Sequence, residues 1–136
     1  MDVKKYNYGI NLIYEVENLS KDIYFELANM VNSDYTLISV DSKDFELICY
    51  GYKKVMIGFG KIEEIDSLLN FYDLYKNTES IIVQFIVKDF ASITINNALN
   101  KIRDFFRNDL NIICSVDCRK EDYDIVLFVP VIKITK

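Results

Sequence analysis

The sequence predicts an α/β (α+β) domain: a four-stranded mixed sheet with two helices on one face, preceded by a long core helix. Three observations lead there. Short apolar runs at 54–59, 81–87, 112–116 and 125–131 are bounded by polar or glycine positions, as buried strands are. Between them, residues 61–75 and 92–106 place apolar side chains every three or four positions, the period of an amphipathic helix. Residues 10–32 contain neither Gly nor Pro and repeat Ile13, Val16, Leu19, Ile23, Leu27, Met30 and Val31 at the same spacing.

Taken in order, residues 1–8 are polar and suit a frayed or edge segment. A helix over 10–32 would be roughly 30 Å long at about 1.5 Å per residue. Tyr14, Tyr24 and Phe25 on its other side suggest cover from more than one direction. Asn32-Ser33-Asp34 breaks the pattern, and 33–44 reads as a loop with an extended piece at 36–40. Asp41 then serves as N-cap of a short helix carrying Asp44, Phe45 and Ile48, which Gly51 closes. Gly58 and Gly60 punctuate the strand at 54–59, where a sharp turn is expected. The helix at 61–75 presents Ile62, Ile65, Leu68, Leu69 and Tyr72 on one face, with Glu63, Glu64 and Asp66 at its positive end. The helix at 92–106, capped by Ser92 or Thr94, buries Ile95, Ala98, Leu99, Ile102 and Phe106. Residues 119–124 form a polar hairpin, and Pro130 implies an edge position or a bulge in the final strand.

At 136 residues with net charge −5, the chain is a single domain. Its longest basic runs are the pairs Lys4-Lys5 and Lys53-Lys54, so a nucleic-acid partner is not expected. No signal peptide and no membrane-length apolar run is present, which predicts a cytoplasmic protein without a membrane partner. Cys49, Cys114 and Cys118 include no C-x-x-C pair and read as reduced small hydrophobes. Cys114 and Cys118 share strand parity, which alone makes a weak case for a metal or redox role. With no histidine, the common general base and zinc ligand are missing, and no metal or other cofactor is expected. Asp117, Glu121, Asp122 and Asp124, interleaved with Arg119 and Lys120, read as a solvated turn, with a weak cation site as the alternative. Tyr6, Tyr8, Tyr14 and Tyr24 fit a core rim better than a ligand stack.

The element order and several strings resemble the C-terminal domain of FtsZ, the tubulin-like GTPase family of bacterial cell division. The strings are SVDSKD at 39–44, MIGFG at 56–60, SIIVQFIV, the SITINNALNKIRDFF helix, and IICSVD with YDIVLFVPV, together covering about residues 23–132. In that family the corresponding loop enters the GTP pocket of the next protomer, and its two acids help position the attacking water. The resemblance implies a partner-binding loop of Ser39, Asp41, Lys43 and Asp44, with Asp41 and Asp44 as acids acting in trans. The same D-x-x-D spacing is also an N-cap followed by an acidic first turn, and both readings stand. Departures from the family pattern are Ser39 for its Asn, Ser42-Lys43 for its Phe and a small residue, and Lys88-Asp89-Phe90 after the central strand. The four glycines, Gly9, Gly51, Gly58 and Gly60, make no phosphate-cradling loop. The family's GTP-binding half and its adaptor-binding tail are therefore not expected here.

The resemblance thus implies a non-enzymatic domain that associates with an FtsZ-family GTPase, meets GTP only through that partner, and modulates or caps its polymerisation. One alternative is the C-terminal part of a split or truncated GTPase, contributing the hydrolysis-promoting loop. Another is a homo-oligomeric structural or small-ligand-binding domain.

Overall fold

The computed structural model describes residues 1–88 and 92–134, with the side chain of residue 92 also left out. Seven strands form one sheet: β1 (Val3–Tyr8), β2 (Asn11–Glu17), β3 (Thr36–Ile38), β4 (Tyr52–Gly60), β5 (Ser80–Ile86), β6 (Asn111–Asp117) and β7 (Ile125–Lys133). Their spatial order is β1-β2-β4-β7-β5-β6-β3, with β5 and β6 parallel and every other pair antiparallel. The four predicted strands are the contiguous centre of this sheet, and β1, β2 and β3 extend it on both sides. The four-stranded expectation is thus corrected to seven.

Four helices cover the sheet: α1 (Lys21–Val31), α2 (Ser42–Cys49), α3 (Ile65–Phe71) and α4 (Ser92–Phe106). As predicted, α3 and α4 share one face. Leu68 of α3, Tyr72 just past its end, and Ile102 and Phe106 of α4 pack on Met56, Val83, Leu127 and Val129 of the strands. The opposite face is also covered, because Leu27, Val31, Phe45 and Ile48 of α1 and α2 pack on Val55, Ile57, Ile82 and Phe128. The central strands are apolar without alternation because both of their faces are buried.

The long leading helix is not formed. Residues 11–17 are instead a strand whose Leu12, Tyr14 and Val16 face α1 and α2, while Ile13 faces α3 and α4. Asn18, at φ 55, turns the chain, and Ser20 then caps α1 by accepting from the Ile23 amide at 3.4 Å. Asn is one of the few residues that enters positive φ readily, so the break is encoded locally. Ahead of it, β1 pairs antiparallel with β2 across a turn at Gly9, φ 59, and forms the edge anticipated for residues 1–8. Lys4 and Lys54 reach Glu15 from the two flanking strands, at 3.7 and 3.4 Å.

Gly58 and Gly60 do not turn the chain; they lie inside β4, beneath α3. The helix expected over 61–75 is divided into 3-10 turns at Ile62–Glu64 and Asp73–Tyr75 around α3. Helix α4 matches its prediction; Thr94 lies inside it, and Ser92 as a cap falls outside the described side chains. Pro130 sits in a central strand, yet the β5 pairing ends at Ile82↔Phe128 while the β4 pairing continues past it. Locally it has a neighbouring strand on one side, which is how a residue without an amide proton is accommodated.

Candidate functional site

The four residues of the predicted loop site lie where β3 hands over to α2. Asp41 caps α2: its Oδ1 accepts from the Asp44 amide at 3.0 Å, and Asp44 Oδ2 accepts from the Asp41 amide at 2.9 Å. This reciprocal capping box satisfies two amides that the first turn would leave open. Asp41, Lys43 and Ser39 are exposed and Asp44 is half-buried. The remaining oxygens, Asp41 Oδ2 and Asp44 Oδ1, accept no hydrogen bond among the described residues. Phe45, fully buried and edge-on to Phe128 at 5.1 Å, anchors the helix just behind the pair. Cys49 on the same buried face has its thiol pushed up to about 12 by burial, so it stays protonated and unreactive.

The loop is fastened at both ends. Asn32 clips it by donating from Nδ2 to the Val40 carbonyl at 2.6 Å and accepting from the Val40 amide at 3.4 Å. Asp117, wholly buried at the end of β6, accepts through Oδ2 from Ser33 Oγ at 2.8 Å and Thr36 Oγ1 at 3.1 Å. Its other oxygen accepts from the Arg119 amide at 2.7 Å. The Arg119 guanidinium lies 3.8 Å from Asp117 and donates to the Met30 carbonyl at 3.1 Å, closing the end of α1. Gln84, a polar residue inside the apolar run of β5, donates to the Val31 carbonyl at 2.7 Å. These partners hold the start of the loop, the end of α1 and the ends of β5 and β6 in one buried polar knot.

Sequence reasoning singled out Ser39, Asp41, Lys43 and Asp44 and left out Asn32, Gln84 and Arg119 as supports. One signal was legible: a lone Gln amid SIIVQFIV requires a buried partner. The predicted acidic group at 117–124 is dispersed. Asp117 holds the loop, Asp124 Oδ1 accepts from the Ile62 amide at 2.6 Å, and Glu121 lies 3.5 Å from Arg119. No group of three or more such residues is placed to hold a metal among the described residues. Cys49, Cys114 and Cys118 are free thiols. Of the tyrosines, Tyr6 lies tilted against Phe71 at 6.0 Å, and Tyr8 and Tyr14 meet Phe71 and Phe59 edge-on at 5.4 and 4.7 Å, as a rim does. Among the described residues no helix is long and apolar enough to cross a membrane.

No family model matches the sequence, and no curated protein matches it. Among solved structures, a chain described as "FtsZ dimer, empty (M. jannaschii)" is similar at 17% identity and a TM-score of 0.42, over 83% of this chain. The match spans 40% of that chain's length, and a likeness of this grade carries no weight for function.

Proposed function

We propose that this chain is a non-enzymatic association domain that docks through the 33–44 loop and α2 onto a tubulin/FtsZ-type GTPase and modulates or caps its polymerisation. One observation carries the docking: the segment is pinned from beneath and apolar on top. Asn32 and Asp117 hold it to the body, while Tyr35, Leu37 and Leu47 are 65%, 59% and 65% exposed. Apolar groups presented on a rigid support lose little entropy on binding, which favours an interface. The kind of partner comes from the resemblance at 39–44. Asp41 and Asp44 each have a carboxylate oxygen outside the capping box, and such an oxygen near a partner's terminal phosphate orients water.

The test adds substoichiometric protein to a polymerising GTPase of this kind from the same cell and follows light scattering and pelleting. Shorter filaments and less pellet are expected; an unchanged signal across a concentration series overturns the reading. Asp41→Asn retains an N-cap and removes the charge. Its activity should fall at unchanged thermal stability if the acid meets the partner. If only the Asp41→Ala, Asp44→Ala pair loses activity, together with stability, both acids are caps and no more.

Self-association has one observation of its own. Strand β3 is an outer strand of the sheet, with Leu37 and Ile38 exposed, and its free edge suits pairing with a second copy. Size-exclusion with light scattering on the purified protein separates the two readings, since a stable dimer without effect on the GTPase favours this one.

A further inference from the structure

We draw no further inference here: the strongest candidate, the groove at the carboxyl ends of the parallel strands β5 and β6 lined by Lys61, Lys88, Arg119 and Lys120, has Glu121, Asp122 and Asp124 on the same walls, and nothing in the structure shows what occupies it.

Discussion

Tyr72 decides how closely α3 approaches the sheet. Its ring is wholly buried, and its hydroxyl donates to the carbonyls of Met56 and Leu127 at 3.1 and 3.3 Å, one on each of two adjacent strands. Burial holds that phenol well above its ordinary pKa, with the charge of Tyr6 acting in the same direction, so it remains a donor. Room for it exists because residue 58 has no side chain: a Cβ there would lie 2.6 Å from the Tyr72 oxygen and 2.8 Å from Leu68 Cδ1. Gly58→Ala is therefore expected to cost about 1–3 kcal/mol in urea unfolding, as overpacking does. In a Tyr72→Phe background the cost should shrink but not vanish, since the nearer of the two colliding atoms is gone while Leu68 Cδ1 remains. Equal costs in both backgrounds would show that the two residues are not coupled. The glycine that looked like a turn in the sequence is a seat for a ring, a distinction set by a partner fourteen residues away in the chain that no local pattern reveals.

At the scale of elements, the central strands and the capped start of α2 were legible, because each is specified by its own residues. Runs such as IVLFVPV are short, bounded and rich in β-branched residues, as buried strands are, and Asp41 with Asp44 writes a capping box in four letters. The leading helix was misread because Ile13, Val16, Leu19, Ile23 and Leu27 fit a helical face. Leu12, Tyr14 and Val16 fit a strand equally well, and pairing with β4 decides between them. The breakers were present, Asn18 to turn the chain and Ser20 to restart it as a helix. The second helical layer was hinted at by apolar runs too continuous for a sheet with one bare face. The knot beneath the candidate loop was the least legible part, since it joins residues 84 positions apart. Asp117→Ala should free the Ser33 and Thr36 hydroxyls at once and leave Arg119 with Glu121 as its remaining acidic neighbour. A loss of more than about 2 kcal/mol is expected from removing charged hydrogen bonds in a buried place. Amide exchange at Thr36–Ile38 should rise more than in Asp41→Ala, which frays α2 and leaves the knot intact. Equal protection in the two variants would mean that Asp117 does not anchor the loop.

Among the described residues the molecule is a three-layer α/β/α sandwich with one core on each side of the sheet. Its acid-base behaviour at high pH follows from burial. Cys49, raised from 9.0 to about 12, keeps its proton in the folded state over a range in which the unfolded chain releases it. The stabilisation is thus complete below pH 9 and is lost as pH climbs from 9 to about 12. Tyr72, also raised, adds to the same trend at higher pH. Chemical denaturation at a series of alkaline pH values should show stability falling through this window, with a shallower fall in Cys49→Val. An identical slope in that variant would remove Cys49 as a contributor.

The place of β7 has a consequence for how the protein comes into being. It pairs with β4 on one side and β5 on the other, so the middle of the sheet is supplied by residues 125–133, after every other strand has been made. A nascent chain that has emerged as far as β6 still lacks the strand that joins β4, with Val55 and Ile57, to β5, with Val83. The sheet can therefore be completed only when that one segment arrives. Until that segment docks, β4 and β5 each present an unsatisfied edge to neighbouring chains on the ribosome, which is when this protein is most exposed to misassembly.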